Sequence, residues 1–172
     1  MGDLRVVEVS NYCRSIFISE ASVGNLFRAL DSCGRFCIAA GSLSISFVSK
    51  KKMREIHGRF LSDFSLTDVI TFRGDPDFDF AGEIVVCPSY ALSQSRVWGT
   101  TFSNEIKLYL VHGYLHLCGL GDKNEEEARA MRSGEIFCLN FLKNFDLKVT
   151  LKPRIRNMPR TKPRRRNISN AQ

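Results

Sequence analysis

The segment TFSNEIKLYLVHGYLHLCG, residues 101–119, constrains the fold of this chain more than any other feature of the sequence. Its apolar residues fall on nearly every side of a helix rather than on one stripe. A helix that is apolar all round must be covered by other elements, so we expect this one inside the core. The same segment carries two of the chain's three histidines, His112 and His116.

Patterns on both sides of this segment predict a mixture of strands and helices. Val-rich or alternating runs predict four short strands, at 4–11, 42–49, 68–72 and 83–88. Apolar residues at helical spacing predict helices at 19–34, 50–60, 89–99, 101–119 and 124–145. The fold class that follows is α+β, with a small mixed four-stranded sheet packed against about four to five helices. The buried helix with its HxxxH pair is similar to that of zinc proteases.

Two local predictions concern the surface of this fold. The stretch RGDPDFDFAG, residues 73–82, contains two glycines, a proline and three aspartates, which predicts a turn or exposed loop. The last helix is expected to turn one apolar stripe inward. That stripe consists of Ala128, Met131, Ile136, Leu139 and Leu142.

The positive charge of the chain is concentrated at its end. Eight of the 25 Lys and Arg residues lie in 151–172, which has no acid, so 17 basic groups face 18 acidic ones in residues 1–150. The end segment is also rich in proline and poor in apolar residues, so burial cannot offset the entropy of ordering it. We predict a folded domain at 1–150 and a disordered basic tail at 151–172. The tail would bind a nucleic-acid backbone without reading its sequence, or merely keep the protein soluble.

Six cysteines raise the question of a disulfide framework. No CxxC pattern occurs, most cysteines lie in apolar segments, and the first residues do not resemble a signal peptide. We therefore expect buried, reduced thiols in a cytoplasmic protein. No run approaches the roughly 18 apolar residues that span a bilayer, so we expect no membrane partner.

The histidine pair predicts a metal site. Residues four apart on a helix point the same way, as the two imidazoles of a zinc-binding HExxH helix do. Gly119 could end the helix in a left-handed conformation and let Asp122 return as a third ligand. Two imidazoles and a carboxylate would leave a fourth position for water, as in catalytic zinc sites. Histidines that are simply hydrogen-bonded in the core are the alternative, and the spacing alone leaves both open.

The sequence HGYLHLCGLGD resembles the signature H-G-x-L-H-L-x-G-Y-D-H of the YbeY family, bacterial metal-dependent endoribonucleases of ribosomal RNA maturation. Aligned without gaps, His112 and His116 take the first two ligand positions, and Asp122 takes the place of the third histidine. TDVITF at 67–72 and GEIVVC at 82–87 resemble two strands of the same family. The resemblance covers most of residues 40–140.

This resemblance implies a single-strand-specific, zinc-dependent endoribonuclease that acts on precursor ribosomal RNA of the small subunit, in 3′ end maturation and ribosome quality control. One zinc ion on His112, His116 and Asp122 would hold the attacking water. Position 113 is Gly, so the general base of an HExxH protease is missing. Two alternatives remain: an RNA-binding ribosome-assembly factor without catalysis, or a metal-dependent hydrolase of another substrate.

Cationic side chains near the site could stabilise charge on a phosphodiester. The family has an arginine six residues before the Thr of the TDV strand, a position that falls on Leu61 here. Arg59 is therefore a catalytic candidate only if the loop between the two shifts, and a solvated arginine is the alternative. Lys123 is a second candidate, with an ordinary surface lysine as the alternative.

Overall fold

The computed structural model describes residues 5–152 of the chain. Its main sheet has the spatial order β1, β3, β5, β4, formed by β1 (Val7–Asn11), β3 (Ser42–Phe47), β5 (Phe80–Val86) and β4 (Val69–Arg73). Strands β1, β3 and β5 are parallel, and β4 is antiparallel to β5. The helices of these residues are α1 (Glu20–Ser32), α2 (Lys50–Leu61), α3 (Pro88–Trp98), α4 (Phe102–Leu117) and α5 (Glu125–Phe141). The predicted α+β fold with a small mixed sheet is confirmed.

Helix α4 lies against one face of the sheet, in the core, as its sequence predicts. Tyr109, Leu110 and Val111 are consecutive residues that point to three sides of the helix, and all three are buried. At Gly113 the helix crosses β5 so closely that a Cβ atom would lie 2.6 Å from Cγ2 of Ile84. Although α4 is largely apolar, no helix of residues 5–152 has both the length and the apolar character to cross a membrane.

The sheet has two covered faces, because side chains alternate along each strand. Ile84 of β5 belongs to the main core on the side of α4, which we call the α4 face. Its neighbour Val85 points the other way, into a smaller core with Ile70 of β4 and Met53 of α2. We call this side the α2 face. Functional side chains on the two faces are therefore separated by the sheet itself.

A second, two-stranded sheet joins the two ends of the described chain. Strands β2 (Ile16–Ile18) and β6 (Val149–Leu151) pair antiparallel, and the Lys152 backbone N–H donates to the Ser15 carbonyl at 2.9 Å. Three-residue strands are too short to leave a pattern in the sequence, so neither was predicted. Leu151 thus lies in a strand, at the predicted start of the tail. The rest of that predicted tail, residues 153–172, lies outside the described residues.

The turn or exposed loop predicted over residues 73–82 is confirmed at its centre and wrong at both ends. Arg73 is the last residue of β4 and β5 begins at Phe80, so only a 3-10 turn at Pro76–Phe78 and its neighbours connect the strands. Gly74 and Gly82, which indicated a loop, lie where the backbones of β4 and β5 approach too closely for a side chain. A Cβ atom on Gly74 would lie 2.0 Å from the carbonyl oxygen of Phe80.

The predicted inner stripe of α5 is wrong at Ile136, whose surface is 62% exposed. Met131 is buried as predicted, and the helix buries Gly134 and Cys138 in place of Ile136. Gly134 lies on that inner face because a Cβ atom there would come within 3.1 Å of the Leu115 side chain. A glycine gives no apolar signal, so the apolar pattern favoured the wrong side of the helix at this turn.

Candidate metal centre

The two histidines of α4 face each other near the end of the helix. Their Nε2 atoms are 2.8 Å apart, and the ring planes are nearly perpendicular at 86°. The i, i+4 spacing brings the rings to the same side of the helix. Neither side chain is fully buried, so the pair can be reached from solvent.

A turn after α4 returns the chain to these rings. Gly119 has φ +98°, a conformation that side chains with a Cβ atom disfavour. Its N–H donates to the carbonyl of His116, and the N–H of Leu120 donates to the carbonyl of Leu115, both at 3.0 Å. This is the Schellman motif, which satisfies the free carbonyls of a helix end and reverses the chain.

The reversal places Asp122 beside the histidine pair. Its Oδ2 atom is 3.6 Å from Nε2 of both His112 and His116. One ligand atom from each residue lies within 4.8 Å of the other two, so the three side chains could hold a metal ion. The structure thus brings together the three residues that the sequence nominated as ligands.

Hydrogen bonds on the far side of each ring decide which nitrogens are free. Nδ1 of His112 is 2.7 Å from Oε1 of Glu135, and Nδ1 of His116 is 2.9 Å from the carbonyl oxygen of Leu120. Both partners accept, so both Nδ1 atoms carry the proton and donate it. Each Nε2 is left with a lone pair that points at the other ring. Such second contacts orient imidazoles for metal binding.

The site also favours positive charge by its electrostatics. Burial opposes the charged form of His112, but the hydrogen bond and charge of Glu135, with the charges of Asp68 and Asp122, raise the pKa of His112 above its usual value. The same negative field that holds a proton here would attract a cation. Two facing lone pairs and a carboxylate are therefore suited to a metal ion.

A cleft of about 360 Å³ lies next to the candidate ligands. It is lined by His116 and Asp122 together with Thr71, Arg73, Leu120 and Lys123. Within residues 5–152, the cations that line it are Arg73 and Lys123. A substrate in this cleft would thus lie between the metal ligands and two positively charged side chains.

The other nominated residues lie in different places. Arg59 is in the last turn of α2, where its guanidinium lies 5.6 Å from the ring centre of Phe60, and it does not line the cleft. Lys123 does line the cleft, and its backbone N–H donates to Glu127 at 2.9 Å. The third histidine, His57, faces the carbonyl oxygen of Ser65 at 3.0 Å.

Sequence reasoning missed two residues of the site, Glu135 and Arg73. Glu135 comes 23 residues after His112, on α5, and no spacing rule connects the two positions. Arg73 was assigned to a loop, although the alternation of β4 gives a signal for it. Thr71 and Arg73 are two apart on one strand, so both fall on the α4 face and into the cleft.

Comparison with known proteins gives the same family as the motifs. The profile of the family described as Endoribonuclease YbeY matches residues 16–143. A protein named Endoribonuclease YbeY from Staphylococcus aureus (strain bovine RF122 / ET3-1) is 31% identical over 109 residues, covering 57% of this chain and 70% of its own length. The protein of the same name from Thermodesulfovibrio yellowstonii is 35% identical over 106 residues, covering 59% of this chain and 67% of its own.

A solved structure supports the fold. The solution structure of a Thermotoga maritima protein superposes with a TM-score of 0.52 and covers 81% of this chain and 93% of that one. The two sequences are 23% identical, so this likeness concerns the fold alone.

Proposed function

We propose that this chain, which belongs to the YbeY family of endoribonucleases, cleaves single-stranded RNA with one zinc ion held by His112, His116 and Asp122. One observation carries the proposal. The Nε2 atoms of His112 and His116 face each other at 2.8 Å, while their Nδ1 atoms donate hydrogen bonds to other partners. Two lone pairs so close repel each other unless a cation or proton lies between them.

The donor set fits zinc. Imidazole nitrogens and a carboxylate oxygen are its usual ligands, and three protein ligands leave one position open, as in zinc hydrolases. When bound, zinc supplies Lewis acidity toward a phosphoryl oxygen and toward water. The remaining work belongs to the chain itself. Glu135 holds the His112 ring in place, and Arg73 and Lys123 would bind the phosphodiester and stabilise negative charge that develops on it.

Arg59 remains a candidate for a catalytic role. From its place on α2 it would act only if RNA or a movement of the helix end brought it toward the cleft. Arg73 lines the cleft already. We therefore infer that Arg73 performs the phosphate-binding role for which the sequence nominated Arg59.

The proposed substrate is the precursor of small-subunit ribosomal RNA near its 3′ end, with the small ribosomal subunit as partner and the cytoplasm as location. Membership of the endoribonuclease family supports RNA as the substrate class. The basic residues of the end segment support it independently, because they would release counterions from an RNA backbone.

The test of catalysis compares histidine variants of the full chain. His116→Ala should lose bound zinc, measured by elemental analysis, and should lose cleavage of a labelled single-stranded RNA. His57→Ala is the matched control, because it removes an imidazole from α2 and should keep both properties. A His116→Ala variant that cleaves as fast as the wild type would contradict the proposal. So would wild-type protein that binds no metal.

The test of substrate uses two RNAs of equal length. One spans the 3′ end of precursor small-subunit ribosomal RNA and the other is a scrambled version of it. We expect cleavage of the first at a defined position, and loss of that cleavage in Asp122→Ala. Equal and scattered cleavage of both RNAs would rule out the ribosomal assignment while keeping the nuclease activity.

A further inference from the structure

A second cavity lies on the α2 face of the sheet, behind the strand that lines the metal cleft. Its volume is about 570 Å³, within the usual range for small-ligand sites. Helix α2, strands β3, β4 and β5 and the residue after β1 form its walls. The side chains that define it are Tyr12, Lys52, Phe60, Phe72, Glu83 and Val85.

Two aromatic rings of this cavity are exposed. Tyr12 is 68% exposed and Phe60 is 58% exposed. Phe60 is held in place by an edge-to-face contact with Phe72, with ring centroids 5.0 Å apart at 68°. Aromatic rings presented in this way at a concave site offer the flat apolar surface on which nucleobases stack.

The polar groups of the cavity also suit a nucleotide. Among the described residues, Lys52 is the cation that lines the cavity, and its Nζ lies 3.5 Å from Oε2 of Glu55 on the exposed side of α2. Glu83 lies among the apolar side chains and accepts a hydrogen bond from Ser46 Oγ at 2.9 Å, which leaves further lone pairs of the carboxylate free. A base has N–H donors for a carboxylate, and the phosphate of the same nucleotide could pair with Lys52.

The position of the cavity connects it with the metal cleft. Strand β4 is the outer strand of the sheet, and its consecutive residues point to opposite faces. Thr71 and Arg73 line the metal cleft, while Phe72 between them lines the cavity. A single-stranded RNA that passes around the outer edge of β4 would therefore reach both the metal cleft and the cavity, because only this β-strand separates them.

We infer that this cavity holds an unpaired base of the RNA substrate, several nucleotides away from the bond that is cleaved. The base stacks on Phe60 and Tyr12 and donates an N–H to Glu83, and the phosphate beside it lies near Lys52. This inference rests on the proposed function. It explains a preference for single strands, because a paired base cannot leave its duplex to enter a pocket.

The experiment measures binding without cleavage. Fluorescence anisotropy of a labelled, unstructured RNA is recorded with the full chain in the presence of a metal chelator. Phe60→Ala should weaken this binding by roughly 5- to 100-fold, as expected for the loss of one stacked base, and Phe60→Tyr should restore it. Trp98→Ala is the matched control, because Trp98 is an exposed aromatic residue on α3 that does not line the cavity.

A second variant tests the base by the sign of its effect. Glu83→Leu removes both the negative charge and the hydrogen-bond acceptors. It should strengthen binding if the cavity takes only phosphates, and it should weaken binding if Glu83 accepts an N–H from a base. Stronger binding by Glu83→Leu, or unchanged binding by Phe60→Ala, would overturn the inference.

The two proposals fail in different ways. Wild-type protein that cleaves RNA while Phe60→Ala binds it equally well refutes the base pocket and keeps the nuclease. Wild-type protein that neither binds nor cleaves single-stranded RNA refutes both. Phe60→Ala could also lose as much affinity for double-stranded RNA as for single-stranded RNA. That result would overturn the base pocket.

Discussion

Gly113 lies between α4 and the sheet, which must approach each other to form the cleft beside the metal ligands. It follows His112 on α4, and its Cα faces the fully buried Ile84 of β5. The missing side chain lets the helix lie close to the sheet. Any larger residue would push α4, with its histidines, away from the strands that line the cleft.

Gly113→Ala should therefore destabilise the protein, although alanine is the better helix former. The gain in helix propensity is about 1 kcal/mol, whereas overpacking a core costs about 1–3 kcal/mol. The obstructing atom, Cγ2 of Ile84, is a branch close to its own backbone and cannot swing aside. We expect a net loss of up to about 2 kcal/mol in the free energy of unfolding, measured by urea denaturation.

Gly24→Ala is the control for this prediction. Gly24 also lies inside a helix, α1, but the nearest atom to its added Cβ would be the end of the flexible Arg28 side chain at 3.8 Å. This variant should be neutral or more stable by up to about 1 kcal/mol. If Gly113→Ala and Gly24→Ala both stabilised the protein, close packing could not explain why position 113 is a glycine.

The hydrogen bond between His112 of α4 and Glu135 of α5 joins two helices at the metal site. Glu135 of α5 accepts a hydrogen bond from Nδ1 of His112. This bond keeps Nε2 of His112 turned toward the metal position. Glu135→Gln should weaken zinc binding by roughly 10- to 100-fold, because contacts behind a ligand histidine contribute on this scale. The measurement is a competition titration with a zinc chelator that reports affinity.

The control for this variant is Glu126→Gln in the first turn of the same helix. Glu126 is exposed and contacts neither histidine, so its zinc affinity should equal that of the wild type. Equal affinity of Glu135→Gln and the wild type would show that the hydrogen bond does not position His112.

The elements also show which parts of the molecule were predictable. His112, His116, Gly119 and Asp122 lie within eleven residues, so helix spacing and one glycine turn determine their geometry. Local rules were sufficient there. Glu135 and Arg73 reach the site only through the packing of α5 and β4 on α4, and no pattern in one sequence encodes that contact.

Packing also explains the errors of the predicted fold. The inner face of α5 was misjudged because Gly134, which fits between helices, has no apolar side chain to reveal it. Strands β2 and β6 escaped prediction because three residues cannot establish a period of two. The four longer strands and the five helices of residues 5–152 lie where the apolar pattern predicts them, because each is long enough to bury several apolar side chains against its neighbours.

At the scale of the whole molecule, buried thiols link stability to alkaline pH. Burial raises the pKa of Cys13 and Cys138 to about 11 and that of Cys118 to about 12, from 9.0 in the unfolded chain. Below pH 9 these thiols are protonated in both states and their contribution to stability is complete. Above pH 9 the unfolded state ionises first, so stability should be lost as the pH rises toward 11.

Cys138→Ala tests this pH dependence. Removing one such thiol should reduce the slope of stability against pH between 9 and 11 by up to about 1.4 kcal/mol per pH unit. The measurement is urea unfolding at several pH values with a reductant present. Val23→Ala removes a buried side chain that does not titrate, so it should keep the wild-type slope. A parallel curve for Cys138→Ala would contradict the prediction, whatever stability it loses at pH 8.

The charge of the whole chain leads to a prediction about salt. Residues 1–152 carry equal numbers of basic and acidic groups, 18 of each, whereas residues 153–172 carry seven Lys and Arg residues and no acid. A chain that ends at Lys152 keeps β6 and the cavity of α2 intact. It should still bind single-stranded RNA through the cavity and cleft, but more weakly and with less dependence on salt.

The slope of log K against log salt measures this difference directly. For single-stranded RNA, the slope should flatten by about 0.7 for every phosphate that the shortened chain no longer neutralises. A full-length variant with all seven basic residues of 153–172 replaced by Gln separates charge from length, and it should match the truncated chain. An unchanged slope in both would show that the end segment does not bind RNA. If the slope flattened in the truncated chain alone, the cause would be the length of the end segment and not its charge. That result would contradict the release of counterions by residues 153–172.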